Sequence, residues 1–385
     1  MIKRRICVVV TARPSYSRIR SALHAIQAHP DLELQLVVAA SALLARYGNT
    51  IQEIERDGLP VAARVYMVLE GENLLTSAKS TGLGLVELAT VFDTLAPDAV
   101  VTVADRYETL ATAIAASYLN IPVVHVQGGE VTGSIDEKVR HAVTKLANLH
   151  LVSTSRARER VIRLGEDPAS VILTGCPSID IAAEVAASPK LDFDVFERYG
   201  GVGPRADLSK GYLVVLQHPV TTEHEVARQQ VDATLDAVKH LGLPVLWFWP
   251  NVDAGSDGTS KGLRSFRERE KPDHFHFFRN MSPEDFLRLL CGSTAVVGNS
   301  SVAIRECSFL GVPAVNIGTR QLGRERGQNV IDVEHECGAI AAAIREHMHQ
   351  DRSGSDQLYG DGKASQRIAD VLARCELSIE KRLTF

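Results

Sequence analysis

Short apolar runs alternate with longer amphipathic segments along the whole chain. In the first half, the runs predict strands near residues 5–10, 33–39, 62–68, 99–104, 122–126 and 149–153, and a short strand near 171–174. The runs are nearly continuous in apolar residues, which is typical of strands covered by helices on both faces of a parallel sheet. The pattern therefore predicts right-handed βαβ units and an α/β fold.

The alternation stops near residue 187 and starts again near residue 211. The stretch 187–210 contains Ser-Pro-Lys, Gly-Gly-Val-Gly-Pro and little periodicity, which is typical of a linker. Further strands are predicted at 211–216, 244–249, 274–278, 294–297 and 313–317. We therefore predict two doubly wound domains around a central cleft. The expected boundaries are 1–186 for the first domain, 187–210 for the linker, 211–362 for the second domain, and 363–385 for a C-terminal helix and tail that cross back to the first domain.

Composition narrows the classes of function. A chain of 385 residues is longer than one core usually supports, which agrees with two domains. The net charge of -5, without a basic stripe, argues against nucleic acid as the main partner. The six cysteines are scattered without C-x-x-C spacing, so we expect no disulfide framework and a cytoplasmic location. The first apolar run, residues 6–10, is too short for a signal peptide or a membrane span.

Acidic and amide side chains follow two neighbouring predicted strands of the first half. Asp105 follows one strand, and Gln127 follows the next; Glu130 and Asp136 lie in the glycine-rich segment after Gln127. Because strand-to-helix loops meet at the carboxyl edge of a parallel sheet, we expect these side chains to converge. Acids gathered with an arginine and glycine pairs suit proton transfer beside an anionic ligand, so this stretch predicts an enzyme.

Three loops are suited to a nucleotide diphosphate. Gly298-Asn-Ser-Ser301 follows a strand and opens a helix, where N–H groups and hydroxyls can meet phosphate oxygens. The Gly- and Arg-rich loop 318–327 follows the next strand, and residues 11–17 follow the first strand of the chain. Each loop alone is equally well a polar turn, but three at equivalent strand ends favour phosphate binding. The absence of G-x-G-x-x-G and P-loop sequences disfavours NAD-type and P-loop nucleotide sites.

His218 ends the first predicted strand of the second domain, and two interpretations stay open. The imidazole is either a structural hydrogen-bonding group or an acid that faces phosphate. Asn251 and Asp253 follow the next strand and are suited to ribose or sugar hydroxyls. His274 and His276 share one face of a strand, but no third ligand has suitable spacing, so we expect no metal site.

With these motifs the chain resembles the UDP-N-acetylglucosamine 2-epimerases of the hydrolysing type, found in sialic-acid and legionaminic-acid pathways. The resemblance covers nearly the whole chain. It rests on motifs in the family order: Asp105-Arg-Tyr-Glu, Gly128-Gly-Glu-Val-Thr-Gly-Ser-Ile-Asp136, Arg140-His-Ala-Val-Thr-Lys145, Gly175-Cys-Pro-Ser178, Gln217-His-Pro-Val-Thr-Thr222, Pro250-Asn-Val-Asp-Ala-Gly255, Gly298-Asn-Ser-Ser301, Arg305-Glu306, Gly318-Thr-Arg-Gln321 and Tyr359-Gly-Asp-Gly362.

The resemblance implies a fold, a reaction and a set of site residues. The fold would be GT-B, with two Rossmann-like domains facing a central cleft. The nucleotide would be eliminated to leave a 2-acetamidoglucal, and water would add with inversion at C2, giving free N-acetylmannosamine and UDP. The resemblance implies a nucleotide-sugar substrate, no metal, no organic cofactor, and a homodimer or tetramer.

By motif, Asp105 and Asp136 would be the catalytic carboxylates, with Gln127 and Glu130 beside them, and His218 would assist at the leaving phosphate. The expected contacts to the nucleotide sugar are Arg13, Ser17, Arg106, His218, Asn251, Asp253, Asn280, Ser300, Ser301 and Arg320, with Glu306 at the uridine ribose.

Two positions depart from the family pattern. Many relatives have Glu where this chain has Gln127, which cannot serve as a base. Either Gln127 only binds substrate, or the base is one of the remaining carboxylates, Asp105, Asp136 or Glu130. Relatives also often have an acid where this chain has Ser15. We hypothesise from these two changes that the substrate is a modified sugar or another nucleotide adduct, such as a GDP-linked diacetamido sugar.

Two other classes of function remain as alternatives. A non-hydrolysing 2-epimerase would return UDP-N-acetylmannosamine, and the loops that contain Asp105 and Glu130 argue against it. A GT-B glycosyltransferase would need an acceptor, and an inactive nucleotide-sugar binder would turn over nothing.

Overall fold

The computed structural model describes residues 3–45, 48–71, 74–131, 135–250 and 256–384. The chain divides into two compact units. The first unit holds the described residues up to 130, residues 135–180, and the chain from 359 onward. The second unit holds Val131 and residues 181–358. Each unit is built around its own parallel sheet.

The strands of the first unit are β1 (Arg4–Val10), β2 (Leu32–Ala39), β3 (Val61–Val65), β4 (Ala99–Val103), β5 (Val123–Val126), β6 (Leu149–Val152) and β7 (Val171–Leu173). In the described residues they form a seven-stranded sheet in the order β3-β2-β1-β4-β5-β6-β7. The order reverses between β1 and β4, and ligands of open α/β sheets bind outside the carboxyl ends of strands at such a switch point. Arg13 is the first residue of the helix that follows β1, and Asp105 lies in the loop that follows β4.

Helices cover both faces of this sheet. They are α1 (Arg13–Ala28), α2 (Thr50–Arg56), α3 (Leu74–Leu95), α4 (Tyr107–Tyr118), α5 (Ile135–Leu146), α6 (Ser155–Arg163), the beginning of α7 (Pro177–Ala187), whose later residues belong to the second unit, and the C-terminal α14 (Ala364–Arg374). Val8 on β1 packs in the same core as Ile19 of α1. The neighbouring Val9 packs in a second core with Phe92 of α3. Because successive side chains of a strand point to opposite faces, β1 is buried on both sides, as its continuous apolar run predicts.

The C-terminal helix α14 packs on the first unit, which confirms the predicted crossing back of the chain. Its residues Ile368 and Leu372 lie in the core that contains β1. The Arg4 guanidinium donates to the Leu372 carbonyl oxygen at 2.6 Å. At the other end of the helix, the Asp180 carboxylate accepts from the backbone N–H of Ala364 at 2.8 Å. Both ends of α14 are therefore capped by residues of the first unit.

The strands of the second unit are β8 (Leu213–Leu216), β9 (Val245–Phe248), β10 (Phe275–Phe278), β11 (Ala295–Gly298), β12 (Ala314–Ile317) and β13 (Val330–Val333). In the described residues they form a six-stranded parallel sheet in the order β10-β9-β8-β11-β12-β13. This order equals the Rossmann order, with the reversal between β8 and β11. The structure adds β13 to the predicted strands, and this edge strand is mostly half-buried.

The helices of the second unit are α8 (Val195–Tyr199), α9 (Ala227–Val238), α10 (Ser256–Glu270), α11 (Pro283–Gly292), α12 (Glu306–Leu310) and α13 (Cys337–His349). Among the helices bounded here, none combines the length and the apolar composition that a bilayer span requires.

The linker prediction for residues 187–210 needs correction, because this segment is folded onto β10. Val202 and Phe277 exchange two backbone hydrogen bonds, of 2.9 and 2.8 Å. The His276 ring lies 2.9 Å from the Gly200 carbonyl oxygen. A Cβ at Gly201 would lie 2.6 Å from the Phe277 carbonyl oxygen. The glycines that predict a turn here instead permit two backbones to approach closely, and the division between the units falls at residues 180 and 181 rather than at 186.

Candidate active site

The chain turns sharply where β4 and β5 end. Ala104 and Gln127 are both left-handed, with φ of 66° and 67°. This conformation costs a residue with a side chain about 1–2 kcal/mol, and such residues cluster at functional sites. The carbonyl oxygen of Ala104 lies 2.9 Å from Nε2 of the buried His125. The His125 ring therefore fixes the turn that presents Asp105.

The protonation of His125 follows from its surroundings. Burial lowers the pKa of His125 to about 3, so the ring is neutral at physiological pH. A carbonyl oxygen only accepts, so Nε2 carries the proton and donates to Ala104. Nδ1 then accepts from the Thr144 hydroxyl of α5 at 3.2 Å. The ring links β5, the β4 turn and α5, and it is not available as an acid.

A buried arginine on α5 gathers the acidic loops. Arg140 is 1% exposed, and its guanidinium donates both to the Asp105 carboxylate and to the Glu130 carbonyl oxygen. Arg18 of α1 lies 4.0 Å from the other Asp105 oxygen. Glu137 lies 3.7 Å from Arg140. Asp105 is thus held by charge-assisted contacts from two helices, as a preorganised carboxylate requires.

Gln127 lies against a cysteine and presents an oxygen with no partner in the described part of the chain. Its side-chain nitrogen donates to the Cys176 sulfur at 3.1 Å, and that sulfur lies 3.1 Å from the Ser178 hydroxyl. Gln127 is 1% exposed, and its Oε1 is buried without a hydrogen-bond partner among the described residues. Leaving a buried acceptor unpaired costs about 1–3 kcal/mol. The group is therefore suited to accept a hydrogen bond from a ligand.

The other expected residues of the first unit occupy the same sheet edge. Glu130 is buried, whereas Asp136 is half-buried in the first turn of α5, one helical turn before Arg140. The Arg106 guanidinium lies 3.3 Å from the carboxylate of the fully buried Glu108. The structure therefore brings Asp105 and the Glu130 backbone together through Arg140, and it ties Arg106 to α4.

Ser15 has a structural role that accounts for its presence. Its hydroxyl accepts from the Ala12 N–H at 2.9 Å and donates to the Ala12 carbonyl oxygen at 2.7 Å. Arg13 is the first residue of α1, and the Ser17 hydroxyl donates to the Arg13 carbonyl oxygen at 3.2 Å. An acidic residue at the Ser15 position would reach the same N–H in a capping box. Ser15 therefore preserves a helix cap and carries no argument for a modified substrate.

In the second unit, the loops after β8, β11 and β12 contact one another. His218 is buried, and its peptide is bonded on both sides by the Asn299 side chain, at 2.8 Å each. The Arg320 guanidinium donates to the Asn299 carbonyl oxygen at 3.1 Å. Ser300 caps the short 3₁₀ turn that begins at Ser301. His218, Ser300, Ser301 and Arg320 therefore share the carboxyl edge at the switch point between β8 and β11.

Four further expected residues belong to the second half of the chain. Asn280 follows β10 at the same sheet edge and is half-buried. Glu306 opens α12, and its Oε2 is buried without a hydrogen-bond partner in the described residues. Asn251 and Asp253 lie outside the described residues.

No group of three or more His, Cys, Asp or Glu residues within the described ranges is arranged to hold a metal ion. The strand histidines have local partners instead. Nδ1 of His276 lies 3.1 Å from the Pro204 carbonyl oxygen, and His274 lies 3.0 Å from Asp273.

Sequence reasoning did not assign site roles to Arg140, Arg18 or Asn299, although Arg140 and Asn299 lie in recognised motifs. The position of Arg140, one turn after Asp136, is a local signal that both face the same side of α5. No local signal pairs Arg18 with Asp105, because the pairing depends on β1 and β4 being neighbours in the sheet.

Comparison with known proteins agrees with this geometry. Residues 24–373 match the family model described as UDP-N-acetylglucosamine 2-epimerase. The chain is 34% identical to UDP-N,N'-diacetylbacillosamine 2-epimerase (hydrolyzing) of Legionella pneumophila, over 96% of this chain and 95% of that protein. It is 30% identical to UDP-N-acetylglucosamine 2-epimerase of Neisseria meningitidis, over 99% of this chain and 98% of that protein. It is 30% identical to GDP/UDP-N,N'-diacetylbacillosamine 2-epimerase (hydrolyzing) of Campylobacter jejuni, over 87% of this chain and 85% of that protein.

Solved structures show the same fold. UDP-GlcNAc 2-epimerase of Methanocaldococcus jannaschii, in complex with UDP-GlcNAc and UDP, superposes with a TM-score of 0.77 at 17% identity, covering 96% of this chain and 99% of that one. The Neisseria meningitidis enzyme bound to UDP-GlcNAc gives the same TM-score, identity and coverage. These likenesses confirm the GT-B fold class with two Rossmann-like units. The motifs, the family model and the relatives agree: this chain belongs to the UDP-N-acetylglucosamine 2-epimerase family.

Proposed function

We propose that this protein is a hydrolysing nucleotide-sugar 2-epimerase. It converts a UDP-linked 2-acetamido sugar and water into UDP and the free sugar inverted at C2. The observation that carries the proposal is the identity of 34%, over nearly the full length of both chains, with a relative named as a hydrolysing 2-epimerase. The contacts that hold Asp105 in place support it, because this chemistry requires a positioned carboxylate.

The substrate is UDP-N-acetylglucosamine or its diacetamido relative UDP-N,N'-diacetylbacillosamine. The diacetamido sugar is favoured, because two relatives named for it match this chain. Gln127 is consistent with either, because its buried oxygen accepts from an amide N–H or a hydroxyl. For the first substrate the product is N-acetylmannosamine, a precursor of sialic acid, and the reaction takes place in the cytoplasm.

The reaction proceeds in two balanced steps. A carboxylate takes the proton from C2 while the C1–O bond breaks, and the electron pair of that bond leaves with UDP. Water then adds to C1 of the 2-acetamidoglucal, and C2 receives a proton on the opposite face. Asp105 and Asp136 exchange these protons, with Glu130 beside them in the glycine-rich loop. Gln127 is a neutral amide that binds the sugar, because it cannot take up a proton.

The departing diphosphate needs cationic and backbone stabilisation. We assign this to the switch-point loops of the second unit, which carry His218, Ser300, Ser301 and Arg320. Further contacts to the nucleotide sugar are assigned by motif to Arg13, Ser17, Arg106, Asn251, Asp253, Asn280 and, at the ribose, Glu306.

One NMR time course in deuterated water tests the proposal. Wild-type protein is incubated with each of the two UDP sugars while the anomeric and C2 signals are followed. We expect UDP and free sugar to form together, with deuterium at C2 of the product. A sugar that stays UDP-linked would indicate the non-hydrolysing alternative. Turnover that requires an added acceptor would indicate a glycosyltransferase, and binding without turnover would indicate an inactive binder.

The enzyme is further proposed to act as a homodimer. Leu75, Leu83 and Val86 of α3 are 63%, 41% and 66% exposed. Their spacing places them on one side of the helix. A cluster of exposed apolar side chains on one helix face is typical of a protein interface.

A further inference from the structure

The side chain of Asn299 pairs with the peptide of His218. Its Oδ1 accepts from the His218 N–H at 2.8 Å, and its Nδ2 donates to the His218 carbonyl oxygen at 2.8 Å. The side-chain amide thus bonds both polar groups of one residue's backbone. A carboxylate only accepts and an alanine does neither, so neither side chain can reproduce this pair of bonds.

The backbone of Asn299 joins two more segments to this pair. Its N–H donates to the Leu216 carbonyl oxygen at 3.0 Å. Its carbonyl oxygen accepts from the Arg320 guanidinium at 3.1 Å and from the Gln321 side chain at 2.9 Å. Asn299 is 0% exposed, and all four of its polar groups are bonded. The loops after β8, β11 and β12 are therefore held in one arrangement by a single residue.

Gly298 makes this close approach sterically feasible. It has φ of 134°, and a Cβ there would lie 2.1 Å from the Leu216 carbonyl oxygen. Any side chain would push the β11 loop away from the end of β8, and Asn299 would no longer reach His218. Gly298 therefore permits the close approach of the two loops, and Asn299 makes the hydrogen bonds between them.

We propose that Asn299 is the positioning residue for His218, through which the enzyme aligns this imidazole with the leaving diphosphate. This inference rests on the proposed function, because it assumes that His218 acts at the phosphate. Asn299 itself touches no reacting atom in this scheme. Asn299 acts through the His218 backbone, which it holds in place. The expected effect is large, because a displacement of about 1 Å at a catalytic group costs on the order of 10²-fold in rate.

A double-mutant cycle separates positioning from a merely structural role. The variants are Asn299→Ala, His218→Ala and the pair, assayed at a temperature where circular dichroism shows each to be folded. We expect Asn299→Ala to lower kcat by about 10²-fold. We expect the double variant to be no slower than His218→Ala alone, because the positioned group is already gone. The proposal would be overturned if the loss of kcat in the double variant equalled the product of the two single losses. An unchanged kcat in folded Asn299→Ala would also overturn it.

A second variant covers the case in which Asn299→Ala does not fold. Asn299→Ser keeps a small, uncharged polar side chain at this buried position but is too short to bond both the N–H and the carbonyl oxygen of His218. We expect it to fold and still to lower kcat, with the same non-additivity against His218→Ala. The control is His347→Ala, since His347 is also buried and lies 3.1 Å from the carbonyl oxygen of Ala314, at the opposite edge of the same sheet. It should lose stability while keeping kcat.

Calorimetric titration with UDP keeps the two proposals distinguishable. If wild-type protein binds UDP but turns over neither sugar, the proposed function fails. The cycle is then measured in UDP affinity, where Asn299→Ala should weaken binding and add nothing to His218→Ala. Additive losses of affinity would refute the positioning role by themselves.

Discussion

The buried guanidinium of Arg140 donates to the carboxylate of Asp105, a residue 35 positions earlier in the chain. Because β4 and β5 are paired neighbours, the loops that follow them lie side by side, and α5 returns Arg140 to both. Asp105 is therefore a held, charged group in a low-dielectric site rather than a surface acid. The part that Asp105 plays in turnover and the part that its pair with Arg140 plays in stability can therefore be tested with different substitutions.

Asp105→Asn should remove turnover while preserving the fold. The amide still accepts from Arg140 through Oδ1, but it cannot exchange a proton with C2. We expect kcat to fall by about 10²–10⁴-fold, with KM changed little. The measurement is steady-state release of UDP, with a thermal melt to verify folding. Wild-type kcat in a folded Asp105→Asn protein would remove Asp105 from the chemistry.

Arg140→Met should destabilise the protein, because it removes the buried guanidinium that bonds the Asp105 carboxylate directly. Removing one member of a buried pair costs about 3–5 kcal/mol in the free energy of unfolding. The double variant Arg140→Met, Asp105→Leu should recover part of that loss, since the buried Asp105 charge is removed as well. Urea unfolding of both proteins gives the comparison. Equal stabilities for the two variants would contradict this account of the pair.

Gln127→Met should affect binding more than catalysis. Methionine keeps the approximate volume but removes the buried acceptor that we assign to a substrate N–H or O–H. We expect KM for the nucleotide sugar to rise by about 10-fold, equivalent to a hydrogen bond of roughly 1.5 kcal/mol, while kcat is largely kept. The matched control is Cys176→Ala, which removes the partner of the Gln127 nitrogen and leaves its oxygen in place. A collapse of kcat at unchanged KM in Gln127→Met would instead place this residue in the chemical step.

Stability should fall in acid because of Glu166. Burial raises the pKa of this carboxyl group, but hydrogen bonds from His150, Lys145 and Lys381 outweigh it and hold the pKa at about 2. A depressed pKa contributes stability that is present above the ordinary value of 4.5 and is lost as the pH falls toward 2. We expect the free energy of unfolding to fall by about 1–3 kcal/mol across this window. Urea unfolding at each pH measures it.

Glu166→Gln should flatten this pH dependence while lowering stability at neutral pH. Glu159→Gln serves as the control, because Glu159 is exposed and pairs only with the exposed Arg163 in the described contacts. A surface pair of this kind contributes little. A pH profile of Glu166→Gln that matches wild type would show that other carboxylates govern the acid transition.

Val86→Glu should dissociate the proposed homodimer, because it places a charge in the centre of the apolar face of α3. We expect the mass from multi-angle light scattering to fall from that of two chains to that of one, without a change in circular dichroism. Met348→Glu on α13 is the control, since Met348 is also exposed but lies on another helix. A wild-type protein that is already monomeric would contradict the dimer.

The strands predicted from apolar runs are present, because a strand buried on both faces leaves a continuous local pattern. The edge strand β13 was missed, since its residues are half-exposed and include Asp332. The glycines of residues 200–203 predicted a linker, whereas they permit close packing on β10. Local composition identifies where a chain can bend, but it does not identify what the bent chain will touch.

The sequence by itself determined the α/β class, most of the elements, the motifs and, through them, the family. Hydrophobic periodicity and turn residues are local properties, so they can be read along the chain. Only the tertiary structure decided that Arg140 holds Asp105 and that the Asn299 side chain bonds the backbone of His218. These contacts depend on which strands are neighbours and on how closely their loops approach. Strand order and loop approach are set by the packing of distant segments, and that packing leaves no local pattern in the sequence.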